Sequence, residues 1–456
     1  MQNYIVSKFG GSSLANDLQV DKVTKIVLSE PCRKYIVVSA PGKVPNGHST
    51  IEQTKLTDIL ISLAIGDGKY SISDVEKKFS DTGIDCYGDT HARNMAELED
   101  SLNNSLIPDE QRLDFIKSRG EDFMARLMAE HFNKNGIDAQ YISPEDLMIV
   151  SSKYGDAQVL DESYARLAAL KNTGKVIVFP GFFGFNKEGH ETTFSRGGSD
   201  LTGSVLAVGV DAAKYENWTD TDGIFSADPR IVENPVGIPE ITHKELRELT
   251  YMGFDVFHNE AMIPAMRGGI EIDVLNTNNP FGSGTKIVSE RDLNENDLKY
   301  ALVGVAHKGG FCMLNIEKIG MNREHGFGRR VLQTIEEGGL SYEHMLSSID
   351  ILSVVLDNSQ FEVDTLNNII GQISDETGAD NVYVAEEDIA LLNVVGRDLK
   401  SQMGVASRVA QALAKKDINI LLMDHGANKD SMIYGIENRF GEDAVGAVYQ
   451  EFFAVN

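Results

Sequence analysis

The stretch that decides the N-terminal fold is Val6-Ser7-Lys8-Phe9-Gly10-Gly11-Ser12-Ser13, in which a short apolar strand runs directly into paired glycines and hydroxyl residues. A helical pattern over 18–29 follows it. Glycines let backbone N–H groups approach an anion closely, and a helix N-terminus adds a favourable dipole. Lys8, at the strand end, would neutralise a phosphoryl group in transfer. A tight turn beside a lysine would produce the same pattern, so this motif needs support from others.

The alternation of strands and helices continues to about residue 285. Further buried strands are predicted at 35–39, 175–179 and 270–275, and further helices at 112–135, 161–170 and 200–210. This order predicts an α/β fold with a largely parallel sheet covered on both faces. The polar stretch 67–109 is predicted to form helices with loops and to carry no chemistry.

The C-terminal part has a different pattern, which begins after a turn-rich and charged linker at 286–300. Two units follow in the order strand, helix, strand, strand, helix, strand, which is typical of a ferredoxin-like βαββαβ fold. The second unit ends after its second helix, so 302–307 is expected to supply its missing strand. The alternative is that 302–307 extends the linker. The predicted domains are 1–285, 308–386, and 301–307 together with 387–456.

The bulk properties exclude several classes of protein. The 456 residues are enough for two or three domains, and the net charge of −27 argues against a nucleic-acid partner. Three widely spaced cysteines give no sign of a zinc site or disulfide framework. The N-terminus lacks the pattern of a signal peptide, and the most apolar stretch, 175–185, is too short for a membrane span. We expect a cytoplasmic protein without a membrane partner.

A second glycine pair lies in Phe194-Ser195-Arg196-Gly197-Gly198-Ser199-Asp200, again ahead of an apolar helix. Arg196 is suited to bidentate recognition of a carboxylate. Ser199 or Asp200 would alternatively be only the N-cap of that helix. Two glycine-paired segments, each with a cation just before the glycines, favour an anion site over two unrelated turns.

A third motif, 218–230, takes a strand end into an acidic turn and a Pro-Arg bend. Its carboxylates would orient a lysine or the ribose and Mg²⁺ of a nucleotide, and Arg230 would contact phosphate. The alternative is a solvated acidic loop. The chain has no Walker A pattern, no G-x-G-x-x-G after a strand and no histidines at metal-ligand spacing, so a phosphotransferase would need a different nucleotide cradle.

Together these motifs resemble those of the aspartate kinase family, within the amino-acid kinase superfamily. The segments 8–13, 195–200, 218–220 and 228–230 are similar to its ordered signatures, with Ser195 replacing a usual glycine. The resemblance spans essentially the whole chain, and the tandem C-terminal units look like ACT domains. It implies a carbamate kinase-like catalytic domain that transfers the γ-phosphate of ATP to the β-carboxylate of L-aspartate, giving 4-phospho-L-aspartate for lysine, threonine and methionine biosynthesis.

The resemblance also implies roles for single residues. Lys8, Arg196 and Asp200 would be catalytic, with Asp200 orienting Lys8. Glu121 would pair with the substrate ammonium and Arg196 with its α-carboxylate, beside Thr57 and Ser199. The implied ATP contacts are Lys8, Gly10, Gly11, Ser12, Thr219, Asp220, Phe225 and Arg230. Mg²⁺ is expected through the ATP phosphates, with no metal site of the protein's own. A carboxylate nucleophile is already ionised at neutral pH and needs no general base.

Two departures from the family pattern lie near the expected nucleotide. Asp255 stands where relatives often carry lysine, and Asn259 stands where proline usually follows the preceding histidine. We therefore assign no phosphate contact to Asp255.

For regulation, the resemblance implies an effector site for L-lysine in the first ACT unit. The backbone before the predicted helix at 325–338 would receive the effector's carboxylate, and Glu343 would face its cationic side chain. The full implied set is Met321, Gly326, Phe327, Gly328, Tyr342, Glu343, Ser347 and Ser348. The alternative for Glu343 is an exposed strand residue. ACT units generally pair between chains, so we expect a homodimer or a dimer of dimers.

Two competing functions remain open from the sequence. One is a kinase of the same superfamily acting on glutamate, acetylglutamate, carbamate or a nucleoside monophosphate. The other is a catalytically silent amino-acid sensor that keeps the fold. The segment 119–121 and the tandem ACT-like units favour aspartate, and Lys8, Arg196 and Asp200 argue against the silent sensor.

Overall fold

The computed structural model describes residues 4–45, 47–84, 88–104, 107–195, 197–253, 259–290, 301–425 and 429–454. The chain divides into two compact units. The first comprises 1–224, 237–246 and 255–293, and the second comprises 225–236, 247–254 and 294–456. The sequence predicts one contiguous domain at 1–285. The structure differs in that two short segments within this range, 225–236 and 247–254, belong to the second unit.

The first unit is built on a sheet of eight strands. In spatial order they are β10 (Glu240–Thr242), β12 (Thr285–Val288), β11 (Glu271–Asn276), β7 (Lys214–Thr219), β1 (Ile5–Phe9), β2 (Arg33–Val38), β4 (Val176–Pro180) and β3 (Ala139–Tyr141). All neighbours are parallel except β11 and β12. The four strands predicted from the sequence are confirmed as β1, β2, β4 and β11. Two short pairs, β5 (Phe183–Phe185) with β6 (Glu191–Thr193) and β8 (Ile224–Phe225) with β9 (Gly237–Ile238), complete the strands of this region.

Helices cover this sheet on both faces. They are α1 (Asp17–Ser29), α2 (Leu56–Ile65), α3 (Ile72–Asp81), α4 (Asp89–Asn103), α5 (Asp109–Lys134), α6 (Glu162–Leu167), α7 (Gly198–Gly209) and α9 (Ile263–Arg267). A further helix, α8 (His243–Tyr251), begins in the first unit, and its residues from 247 onward belong to the second. Successive strand residues alternate between faces. Phe9 and Val38 therefore join the apolar core formed with α1 to α5, whereas Lys8 lies on the opposite face with α7. The helices predicted within 67–109 are confirmed as α3 and α4.

The second unit contains a six-stranded antiparallel sheet. Its spatial order is β14 (His344–Ser347), β15 (Ile351–Asp357), β13 (Leu302–Glu317), β16 (Asn381–Gly396), β18 (Ser431–Glu437) and β17 (Leu422–Asp424). One half is covered by α10 (Phe327–Glu337) and α11 (Val363–Thr377), and the other by α12 (Val405–Ala414) and α13 (Gly441–Phe453). Each half has its own apolar core. The first half follows the βαββαβ order of a ferredoxin-like unit, and the second half follows βαββα, with its remaining strand supplied by the start of β13.

The two halves share their central strands, which the sequence did not predict. Segments expected as separate strands form one 16-residue β13 and one 16-residue β16. The β13–β16 register shifts between Lys308 and Phe311, where Gly310 has φ +87°. A glycine adopts this left-handed conformation without strain, so the strand can change register without ending. Before that point, Leu302 pairs with Gly396 and His307 with Leu392.

Candidate functional site

Lys8 lies at the carboxyl end of β1, in the middle of the parallel sheet. The residue is 8% exposed, and its Nζ is 2.5 Å from Oδ1 of Asp200. In the ladder Lys8 is level with Val37 of β2 and Asn217 of β7. Ligands of open parallel sheets bind at the carboxyl ends of the strands. A buried ammonium at this edge is therefore placed where an anionic group would be bound.

The loop after β1 differs from its predicted form. The paired glycines lead into a single 3-10 turn, Gly11–Leu14, and α1 begins only at Asp17. The side chain of Asn16 accepts a hydrogen bond from the Gln19 N–H and caps that helix. The helix predicted over 18–29 is confirmed as α1, and its N-terminal dipole begins after Asn16 rather than at the glycines. Gly10 and Ser12 are half-buried in this loop.

Asp200 lies in the first turn of α7 and is contacted by side chains of β1 and β7. Gly197, with φ +76°, is the N-cap of α7, and Asp200 lies in the first turn with 7% of its surface exposed. The N-cap role considered for Ser199 or Asp200 is therefore wrong. The Asn217 side-chain amide donates to Asp200 Oδ1 at 3.1 Å, and this oxygen also contacts Lys8. Lys8, Asp200 and Asn217 thus form one buried polar group.

Glu121, on α5, is a buried carboxyl group with an unused oxygen. It is 5% exposed, and Oε2 has no hydrogen-bond partner among the residues that the structure describes. Burial raises the pKa of this carboxyl to about 8, although the backbone N–H of Ala40 and the charge of Lys8 act in the opposite direction. A cationic ligand group beside Oε2 would favour the ionised form. Glu121 is therefore suited to receive an ammonium.

Two glycine loops meet at the ends of β1 and β2. The Gly42 N–H donates to the Gly11 carbonyl at 2.8 Å. A Cβ on Gly11 would lie 2.7 Å from the Ala40 carbonyl oxygen, and one on Gly42 would lie 2.6 Å from the Gly11 carbonyl carbon. Neither position has room for a side chain. The close approach keeps the loop after β2 beside the loop after β1.

Of the other predicted substrate contacts, Thr57 and Ser199 can be placed. Thr57 is half-buried in the first turn of α2, whose Leu56 N–H donates to the Pro41 carbonyl at 3.0 Å. Ser199 is 8% exposed and lies against Gly181, where a Cβ would be 2.6 Å from its Oγ. Arg196, predicted to bind the α-carboxylate, lies outside the described residues, as does Asp255.

The predicted nucleotide contacts are divided between the two compact units. Thr219 ends β7, and its hydroxyl donates to the exposed Asp220 at 3.2 Å. Phe225 and Arg230 belong to the second unit. Arg230 is exposed and donates from Nε to both carboxylate oxygens of Asp228 at 3.0 Å, so a phosphate would compete with this carboxylate.

The predicted effector residues lie around the start of α10 and the edge strand β14. Gly326, with φ +76°, is the N-cap of α10, and Phe327 is buried. Glu343 is half-buried, and its Oε2 is buried with no hydrogen-bond partner in the described part of the chain, so the exposed-strand alternative is wrong. Burial and the nearby Asp357 raise the pKa of this carboxyl. The remaining members are the buried Met321, the half-buried Gly328 and the exposed Tyr342, Ser347 and Ser348.

Three features of the site were not predicted from the sequence: Asn217, the Ala40–Gly42 loop, and Lys78 on α3. The ammonium of Lys78 is fully buried and donates to the Gly42 carbonyl at 2.5 Å. The one available signal was Pro41-Gly42 directly after a buried strand, which marks a turn at the same sheet edge as Gly10-Gly11. The other two residues sit in ordinary strand and helix patterns.

Among the described helices, none combines the length and apolar character that a bilayer crossing requires. Within the same described segments, no group of three or more His, Cys, Asp or Glu side chains is arranged to hold a metal ion.

Comparison with known proteins places both regions in families. Residues 3–276 match the amino acid kinase family and residues 392–452 match the ACT domain. The chain is 44% identical to aspartokinase 3 of Bacillus subtilis, over 98% of each chain.

Solved structures give the same result. The crystal structure of Clostridium acetobutylicum aspartate kinase is 33% identical with a TM-score of 0.80, covering 99% of this chain and all of that one. Escherichia coli aspartokinase III with aspartate and ADP is 24% identical with a TM-score of 0.77, covering 98% of this chain and 99% of that one. The structure of the same enzyme with lysine and aspartate is 23% identical with a TM-score of 0.72, covering 99% of each chain. Because their sequence identities are below 25%, the E. coli structures support the fold alone.

Proposed function

We propose that this chain, which belongs to the aspartokinase family of amino acid kinases, transfers the γ-phosphate of ATP to the β-carboxylate of L-aspartate. The observation that carries the proposal is the buried Glu121 carboxyl, which has one oxygen without a partner among the described residues. It is close enough to the Lys8–Asp200 pair for the charge of Lys8 to affect its pKa. An amino acid whose ammonium meets Glu121 would have its acidic side chain free to approach a phosphate beside Lys8.

The reaction needs no proton transfer. A β-carboxylate oxygen of aspartate forms a bond to the γ-phosphorus, the bond from that phosphorus to the β–γ bridging oxygen breaks, and ADP leaves with the electron pair. Charge builds on the phosphoryl oxygens and the leaving oxygen. Lys8 stabilises that charge, and Asp200 and Asn217 keep its ammonium at the sheet edge.

The remaining substrate contacts are proposed from the resemblance to the family. Glu121 receives the ammonium, Arg196 receives the α-carboxylate, and Thr57 and Ser199 complete the pocket for the amino acid. The nucleotide is held by Lys8, Gly10, Gly11, Ser12, Thr219, Asp220, Phe225 and Arg230. Mg²⁺ arrives with the ATP phosphates. The exposed Asp220 carboxylate, which accepts from the Thr219 hydroxyl, offers a hard oxygen ligand suited to that cation.

L-Lysine is proposed as the feedback inhibitor, bound in the first ACT unit. The support is the Glu343 Oε2, which is buried with no partner among the residues described and would pair with a cationic side chain. The N–H groups at the start of α10, next to Gly326, would receive the effector's carboxylate.

We propose the predicted domain bounds, and a homodimer or dimer of dimers in the cytoplasm. The placement of 301–307 with 387–456 is supported by the pairing of Leu302 with Gly396 and of His307 with Leu392. Association through ACT units is supported by β14 and β17, which lie at the two ends of the six-stranded sheet.

The test is ATP-dependent formation of an acyl phosphate, trapped as the hydroxamate. L-Aspartate and L-glutamate are compared, each with and without L-lysine and with Mg²⁺ present or chelated. We expect turnover with aspartate only, inhibition by lysine and loss on chelation. Lys8→Met is the inactive control and should lose about 10²–10³-fold in kcat. Equal turnover of glutamate would move the proposal to another kinase of the superfamily, and ATP binding without turnover would favour the silent sensor.

A further inference from the structure

Lys78 is an unusual lysine because its side chain is enclosed by the protein. It lies on α3 with none of its surface exposed, and its Nζ donates to the Gly42 carbonyl at 2.5 Å. Burial lowers the pKa of this ammonium to about 8, and Lys77 lowers it further, whereas Asp81 and Glu52 raise it. No carboxylate lies within ion-pair distance of Lys78 among the described residues. A lysine is seldom fully buried without an ionic partner.

The carbonyl that Lys78 contacts belongs to a loop joined to three parts of the candidate site. The Gly42 N–H donates to Gly11 in the loop after β1. The Ala40 N–H bonds the Glu121 carboxyl, and the Pro41 carbonyl accepts from Leu56, the residue before Thr57. A shift of this loop would therefore move the groups that receive the amino acid.

We propose that Lys78 is a positioning residue, which fixes the Ala40–Gly42 loop through its hydrogen bond to Gly42 and so sets the binding geometry for the amino-acid substrate. This inference rests on the proposed function. The hydrogen bond that the structure describes for the Lys78 ammonium goes to the Gly42 backbone carbonyl, so its effect passes through Ala40 and Pro41 to Glu121 and α2. A charged donor on a neutral carbonyl holds that carbonyl more firmly than a neutral donor would.

The loop also explains which substrate should be affected more. Two of its three attachments lead to the predicted amino-acid contacts, Glu121 and Thr57, and one leads to Gly11 beside the phosphates. The KM for aspartate should therefore respond more strongly than the KM for ATP. General loss of stability would not separate the two constants in this way.

The experiment compares Lys78→Met with Lys77→Met in the full-length protein. Lys77 is the adjacent residue on α3, half exposed and paired with Asp81, so its replacement removes a lysine from the same helix without touching the loop. We expect K78M to raise the KM for aspartate at least tenfold and the KM for ATP less than threefold, and K77M to change neither beyond twofold. A KM for aspartate within twofold of wild type in K78M would overturn the proposal, as would equal increases for both substrates.

A second readout separates this inference from the proposed function. Hydrogen–deuterium exchange of peptides covering 39–57 reports the Gly42 and Leu56 amides without any turnover. Faster exchange there in K78M but not in K77M supports the pinned loop even if aspartate proves not to be the substrate, and unchanged exchange in K78M contradicts it. If K78M does not fold, Lys78→Gln, which keeps a polar group in the space, is measured against the same criteria.

Discussion

At the scale of single residues, the Glu121 carboxyl is buried, and burial raises its pKa to about 8. Its raised pKa means that the free protein carries a neutral carboxyl at pH 6 to 7, whereas an ammonium ligand binds the ionised form better. Binding of aspartate must therefore be accompanied by release of a proton at these pH values. The same shift lowers stability of the free protein as pH rises from about 4.5 to about 8, because the native state holds a proton that the unfolded chain releases.

This gives a pH prediction for substrate affinity. The KM for aspartate should fall as pH rises from 6 toward 8, by up to about tenfold per unit, and then level off. Glu121→Gln should abolish this slope and raise the KM about 10–100-fold, because a charge-assisted hydrogen bond is lost. Glu110→Gln, an exposed change in the first turn of α5, is the control. A wild-type KM that is flat between pH 6 and 8 would contradict the assignment.

Asn217 supports a second prediction. Its amide and the Lys8 ammonium both contact Asp200 Oδ1, so Asn217→Leu leaves the carboxylate with one partner fewer and free to turn. We expect kcat to fall about tenfold with both KM values within threefold, consistent with a loss of 1–2 kcal/mol in the transition state.

The control for Asn217 is Ser7→Ala. Ser7 lies on the opposite face of β1, where its buried hydroxyl donates to Glu216 at 2.8 Å. It should lower thermal stability without changing kcat. Equal effects of the two variants on kcat would show that Asn217 matters only for folding of the sheet.

Among loops and helices, the contact between the loops after β1 and β2 leaves no room for an added side chain. Gly11→Ala would place a methyl group 2.7 Å from the Ala40 carbonyl oxygen, and backbone atoms cannot give way as a flexible side chain can. It should lower the free energy of unfolding by about 1–3 kcal/mol. Gly10→Ala is the matched comparison, because its methyl group would meet its nearest atoms at 3.5 and 3.6 Å.

Denaturant unfolding of the two variants measures the difference. Gly10→Ala should change stability by less than about 1 kcal/mol, since its contacts are ordinary and its φ of −70° suits alanine. If both variants have the same free energy of unfolding, the two loops are not in close contact. The Ala40–Gly42 loop would then not be attached to the loop after β1.

For the molecule as a whole, the prediction concerns regulation. Glu343→Gln should raise the lysine concentration for half-inhibition at least tenfold, because a cationic effector loses its charged partner in a half-buried site. Glu336→Gln, an exposed glutamate on α10, should leave it unchanged. Lysine inhibition that is equal in wild type and E343Q would place the effector elsewhere.

The accuracy of the sequence predictions differed between local and long-range features. The strands β1, β2, β4 and β11 and the helices α1, α5 and α7 were predicted to within a few residues, because apolar periodicity and flanking glycines are local signals. The lengths of β13 and β16 were not predicted. The pair Gly309-Gly310 indicates a turn when only the sequence is considered, but in the structure it forms a bulge within β13, which continues on both sides.

The amino-acid order was therefore sufficient for the fold class, the two glycine-rich segments and the family, since each depends on residues close together in the chain. The partnership of Lys8, Asp200 and Asn217, the raised pKa of Glu121 and the enclosure of Lys78 required the folded chain. Their properties come from burial and from neighbours on other elements. Desolvation and hydrogen bonding act through space, so they depend on which strands and helices become adjacent, and no local pattern records that adjacency.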